Sequence, residues 1–107
     1  MCRKTHGAAF ATYGRVRRER FQIVAGEDAV ARYRSSARVT RTFCPRCGCP
    51  LFWAHDDTPD FVEIAVGTVD DDPVGRPEAH IFVKDKACWV TIDDELPRFD
   101  GSPPLDA

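Results

Sequence analysis

Long apolar runs are missing from these 107 residues, and none would span a bilayer as a helix. The opening Met1-Cys2-Arg3-Lys4 also lacks the apolar core that a secretion signal carries. The expected compartment is therefore the cytoplasm, where thiols stay reduced. Helical periodicity is scarce throughout, which argues against a helical bundle. Also absent are a Ser/His/Asp order, a phosphate-cradling glycine loop and a paired-carboxylate arrangement, so three common classes of enzyme site have no foothold.

Cysteine, by contrast, stands in an informative place. Phe43-Cys44-Pro45-Arg46-Cys47-Gly48 is a Cys-x-x-Cys turn entered from an apolar strand and followed at once by glycine. A two-residue spacer brings both sulfurs to one side of a tight turn, where two thiolates can bind one zinc ion at ~2.3 Å each. Pro45 fixes φ and gives up its N–H, and Gly48 tolerates the positive φ that lets nearby backbone N–H groups turn toward the sulfur of Cys44. Such a zinc knuckle supplies two ligands, whereas a structural zinc site takes four. Two other readings compete. A redox pair of thioredoxin type should open a helix within a βαβ unit, but residues 39–43 and 51–53 read as strands on both sides. A structural disulfide framework would leave one of five cysteines unpaired.

The length suits one domain able to bury roughly 65% of its unfolded surface, a core small enough for a metal staple to matter. Zinc binding can contribute roughly 10 kcal/mol of apparent folding free energy. Net charge is −2, but residues 1–50 carry 11 Lys/Arg against 3 Asp/Glu while residues 51–107 carry 4 against 14. A small domain folds such charges against each other, which speaks against a nucleic-acid module. A sharper reading makes Arg3, Lys4, Arg15, Arg17 and Arg18 a basic rim for a small anionic ligand.

Along the chain the period is two. Residues 8–16, 21–24, 30–34, 38–43, 51–54, 61–69 and 78–83 read as short strands, with a further apolar segment at 89–92. Glycine or Asp/Pro turns separate several of them, and no helix longer than about three turns is expected. The tail after Pro97 is rich in Pro, Gly and Ser, and residues 100–107 are expected to fray. The fold class is thus mostly β.

Among the remaining chemistry-bearing residues, Cys2 lies beside Arg3 and Lys4, cations that favour its thiolate, the form that is both nucleophile and metal ligand. Cys49 could close on the knuckle ion or fill space as a small apolar residue, and Cys88 beside Trp89 reads as core. His80, inside an apolar strand, is either a satisfied core histidine or part of a functional pocket. His55 and the run Asp70-Asp71-Asp72 read as solvated loops.

Taken together these residues resemble the family of glutathione-dependent formaldehyde-activating enzymes. The resemblance runs through Cys2-Arg3-Lys4, Gly7, Phe10-Ala11-Thr12, the knuckle and Pro50-Leu51-Phe52-Trp53. It continues through Gly67-Thr68-Val69-Asp70-Asp71, Arg76-Pro77, His80-Ile81, Trp89 and Leu96-Pro97-Arg98-Phe99. It implies a β-tent of several short coiled antiparallel sheets and two zinc sites. One, structural, would use Cys44 and Cys47 with an early Cys-x-Cys pair. The other, catalytic, would use three cysteines of a Cys-x-Cys-x-x-Cys-Arg run, whose last member matches Cys2. The implied activity is carbon–sulfur lyase chemistry: addition of the glutathione thiol to formaldehyde, giving S-hydroxymethylglutathione, with Arg3 and Lys4 suited to the glutathione carboxylates and His80 a candidate catalytic side chain.

Both Cys-x-Cys pairs of the family are absent from this sequence, and the expectation is that a segment of a few tens of residues belongs in front of it. The 107 residues alone are expected to bind Zn2+ weakly or with ligands borrowed from a second chain, and to have little activity. Small molecules are the expected partners, with no nucleic acid and no membrane, and a homo-oligomer is left open. The alternative is a catalytically silent, zinc-stabilised binding module.

Overall fold

Alternating and β-branched runs become strands in a computed structural model that describes residues 2–103. A short helix α1 (Cys2–His6) comes first and is ended by Gly7 at φ +65°, the left-handed conformation that closes helices at little cost for glycine. Five strands follow: β1 (Tyr13–Arg17), β2 (Ala31–Arg34), β3 (Val39–Phe43), β4 (Pro50–His55) and β5 (Phe61–Ala65). They form one antiparallel sheet in the order β1-β5-β4-β3-β2. The mostly β expectation holds, as does the absence of long helices; where the resemblance implies several sheets, the described residues hold this one.

Contacts divide the chain into two compact units, Thr12–Pro73 and the chain on either side of it. The first contains the whole sheet. Its most buried residues are Val62 and Ala65 of β5, one of the three strands flanked on both sides, together with Thr42 and Glu63. Val62 stands opposite Val16 in the β1–β5 ladder, so two β-branched residues face each other across the edge pair of the sheet, where their stiff side chains pack well.

Four strand expectations are corrected. Residues 8–16 carry a strand only from Tyr13, residues 8–12 lying outside any strand. Residues 21–24 pair with no strand: Phe21 is extended, but its ring meets that of Phe52 edge to face at 4.9 Å, so the segment covers a sheet face and does not join an edge. Residues 61–69 end as a strand at Ala65, where a 3-10 turn over Val66–Thr68 is fastened by the Thr68 hydroxyl donating to the Ala65 carbonyl at 2.7 Å. Residues 78–83 contribute a single bridge, His80 beside Arg98, because Phe82 takes φ +52° and leads into a 3-10 turn at Val83–Asp85.

In the second unit Ala87 is buried, whereas its neighbours Cys88 and Trp89 are exposed, so the core reading of Cys88 is also corrected. The Phe82 N–H donates to the Gly101 carbonyl at 3.1 Å, which ties the chain as far as Gly101. Residues 104–107, part of the segment expected to fray, lie outside the described residues. No described helix is long and apolar enough to cross a membrane.

Candidate functional site

The knuckle grows out of the β3–β4 hairpin. A bulge sets Phe43 opposite Pro50 while Thr42 stands opposite Phe52, so Leu51 is the extra residue and the two strands are re-aimed just before the turn. Pro50 opens β4, a position where the missing N–H does little harm to a ladder. The Cys44 N–H donates to the Cys49 carbonyl at 2.9 Å and the Gly48 N–H donates to the Cys44 carbonyl at 2.6 Å. Gly48 sits at φ +78°, as the turn chemistry requires.

This closure directs backbone N–H groups at one sulfur. The N–H of Cys47, then that of Arg46, then the Cys47 thiol hold the Cys44 thiol below its ordinary range, with the Arg46 charge adding to the effect and partial burial opposing it. A sulfur ringed by N–H donors is stabilised as thiolate, the form a metal binds. Cys44 is half-buried and Cys47 exposed, and both are free thiols, as are Cys49 and Cys88. The donor chemistry of Cys44 and Cys47 therefore fits two corners of a tetrahedral zinc site. Cys49 is half-buried, and its Sγ donates to the Pro50 carbonyl at 3.5 Å. Among the described residues no group of three His, Cys, Asp or Glu side chains gathers to hold a metal.

The other expected site residues belong to the second unit. Cys2 begins α1, and its side chain lies outside what is described; Arg3 and Lys4 are exposed in the same helix, where their charges oppose the negative end of its dipole. His80 makes a sharper arrangement. Its backbone bridges to residues 97–99, with His80 N–H donating to the Pro97 carbonyl and Phe99 N–H donating to the His80 carbonyl, both at 2.8 Å. Its Nε2 then lies 2.9 and 3.0 Å from the two carboxylate oxygens of Asp94. The His80 ring, followed by the Leu96 N–H, holds the Asp94 carboxyl below the usual range; the His80 and Arg98 charges act in the same direction and partial burial against it. Arg98 further fastens the loop by donating to the carbonyls of Ile92 at 3.0 Å and Asp94 at 3.1 Å. A His–carboxylate pair of this kind orients an imidazole and favours one tautomer, which is what a proton-transfer group needs. Asp94 was not visible in the sequence, because nothing there separates it from Asp93 and Glu95.

The basic rim is divided. Arg15 pairs with Glu63, the residue directly opposite it on β5, at 2.6 Å, and lies over the Phe61 ring at 4.7 Å; Arg17 lies 5.8 Å from the same ring. Arg15 is thus committed to the sheet, while Arg3 and Lys4 sit in the other unit.

A search of curated proteins finds no match to the chain. Comparison with protein families does find one: residues 1–85 match the model described as glutathione-dependent formaldehyde-activating enzyme, a stretch that takes in the helix carrying Cys2, the whole sheet, the knuckle and His80. The chain belongs to the glutathione-dependent formaldehyde-activating enzyme family.

Proposed function

We propose that the protein is a cytoplasmic, zinc-dependent enzyme of carbon–sulfur bond chemistry, adding the thiol of glutathione to formaldehyde to give S-hydroxymethylglutathione. The family match supports the substrates, and one structural observation carries the metal: the Cys44–Cys47 turn, with its N–H groups aimed at a sulfur. In the reaction a sulfur–carbon bond forms as the carbonyl π bond opens, and the thiol proton ends on the former carbonyl oxygen, so neither oxidant nor reductant is consumed. Zinc in a thiolate-lined site would supply a Lewis acid that favours the ionised form of a substrate thiol.

The roles of the chain's own residues follow from their chemistry. Cys44 and Cys47 hold the structural ion and Cys2 contributes to the catalytic one. Arg3 and Lys4 attract the glutathione carboxylates, and His80, oriented by Asp94, takes the thiol proton and returns it to oxygen. The finer architecture consistent with this reading is the β-tent, within one domain over residues 1–107.

The test is formation of the adduct from 13C-labelled formaldehyde and glutathione, followed by NMR with zinc supplied. A small acceleration over the uncatalysed addition is expected, abolished by a chelator and by Cys2→Ser; no acceleration, or one indifferent to chelation, refutes the reading. A second reading, a catalytically silent zinc-stabilised binding module, is favoured by the lack of a three-ligand cluster among the described residues. Micromolar binding to an acidic protein that falls steeply with salt, with no thermal stabilisation by glutathione, selects it.

A further inference from the structure

The face of the sheet opposite the Arg15–Glu63 pair carries a groove of about 710 Å3, within the roughly 300–1,000 Å3 of small-molecule sites. Arg32, Thr42 and Phe52 follow one another across β2, β3 and β4 on its floor, and Phe21, packed against Phe52, forms part of its wall. Arg18, Glu27, His55 and Asp56 add polar groups to the lining. Asp56 is already engaged by Arg34, at 3.0 and 3.4 Å from its two oxygens, and the Arg34 guanidinium, foremost through that hydrogen bond, holds the Asp56 carboxyl below its usual range. Arg18, Arg32 and Glu27 have no ion-pair partner among the described residues. The uncommitted charge is therefore two guanidiniums against one carboxylate, a net single positive charge.

Two neutral groups are open as well. Thr42 is 3% exposed, and its hydroxyl bonds to nothing among the described residues. It is not sealed off, since Trp53 Nε1 is the one fully buried polar side-chain atom there without a partner, so the hydroxyl opens into the groove it lines. The Nδ1 of His55 accepts the Asp57 N–H at 3.0 Å, which places the ring proton on Nε2 and leaves Nε2–H as the donor this side chain offers.

We propose that this groove binds a sugar acid, a small polyhydroxylated monocarboxylate. A guanidinium presents a planar fork of donors that matches a carboxylate, and one anionic group neutralises the net charge of the lining. A dianionic phosphate ester would bring a further negative charge toward Glu27, which selects against it. The remaining lining needs both kinds of partner. Glu27 can only accept, whereas His55 Nε2–H and the second guanidinium can only donate, and the Thr42 hydroxyl does either. A hydroxyl group both donates and accepts, so a run of neighbouring hydroxyls satisfies all of them. The rings of Phe21 and Phe52 offer apolar surface to the C–H face of the carbon skeleton. The site is separate from the thiol chemistry proposed above and uses none of its residues.

The experiment titrates the 15N-labelled intact chain at low salt with glucuronate, galacturonate and gluconate, following amide shifts by NMR. At least one acid is expected to bind saturably at millimolar concentration or tighter, with shifts centred on residues 21–27, 40–42 and 52–56. Exchanging its carboxylate for the amide should weaken binding about fivefold in the natural protein and have little effect when Arg18→Gln and Arg32→Gln are combined. Hexanoate, which keeps the charge without the hydroxyls, should bind more weakly and be indifferent to Glu27→Gln. Thr42→Val should weaken binding of the sugar acid while thermal stability stays equal or rises, a separation that general loss of structure would not produce. No saturable binding by any of the acids, shifts lying outside the groove, an amide as good as the acid, or hexanoate or glucose 6-phosphate binding as tightly would overturn the proposal. None of these ligands carries a thiol, so the outcome is independent of the formaldehyde assay.

Discussion

At the scale of single residues, backbone conformation and hydrogen bonds set the local rules. Gly48 at φ +78° has open space where a Cβ would be, so Gly48→Ala meets no clash and pays only for the left-handed backbone, about 1–2 kcal/mol of stability by denaturant unfolding. Val74 runs the other way: a β-branched residue at φ +70°, 82% exposed, holds strain without burying surface. Val74→Gly is expected to raise the free energy of unfolding, measured in denaturant, by about 1 kcal/mol; a fall would show that the strain is absent. Asp94 and Asp56 both have folded-state values lowered by their partners, His80 and Arg34. Carboxylates of this kind stabilise the fold above the unfolded value near ~3.9, and that contribution is lost as the pH drops through the folded values. Asp94→Asn should therefore lose stability at neutral pH and show a shallower fall between about pH 5 and 2 than the natural protein. The knuckle was legible in the sequence at this scale, since the spacing and Gly48 dictate its geometry. Asp94 was not, because contact between residues 80 and 94 depends on tertiary folding.

At the scale of elements, the sheet depends on cross-strand pairs that sequence patterning only half reveals. The strands around the knuckle were legible because residues 30–34 and 38–43 mix apolar and polar positions with a period near two, residues 51–54 form a short apolar run, and turn signals stand between them. Residues 21–24 are likewise apolar yet serve as a cover, with the Phe21 ring packed edge to face on that of Phe52 and no strand pairing. Residues 78–83 fail as a strand for a backbone reason, the positive φ of Phe82. Within the sheet, Glu63 has an 11% exposed side chain and depends on Arg15, whose side chain is 42% exposed. Arg15→Gln is expected to cost about 1–3 kcal/mol, more than Glu63→Gln, because it strands a buried charge while the latter removes it. Equal losses in urea unfolding would argue that the pair is screened. Trp53 stacks edge-on against Tyr13 at 5.9 Å, but its buried Nε1 has no hydrogen-bond partner among the described residues. Trp53→Phe keeps the ring contact and removes the orphan donor, so it should destabilise far less than Trp53→Ala, for which about 3–5 kcal/mol is expected.

At the scale of the whole molecule, the family match spans both units, since residues 1–85 include the complete sheet and the helix that precedes it. The mostly β architecture was therefore legible twice over, from period and from resemblance. The zinc chemistry was legible only in part, because ligand identity can be read from spacing whereas ligand convergence cannot. Two sulfurs are drawn together at Cys44 and Cys47, and no third ligating side chain joins them among the described residues. A lone pair of thiolates binds zinc far more weakly than a closed four-ligand site. The central claim, that this turn is a zinc knuckle, is tested most directly by elemental analysis of the purified natural chain and of Cys44→Ser and Cys47→Ser. The account predicts zinc in the natural protein at well below about one tightly held ion per chain, and its loss in both variants with the fold preserved by circular dichroism. Zinc content unchanged by both substitutions would contradict it.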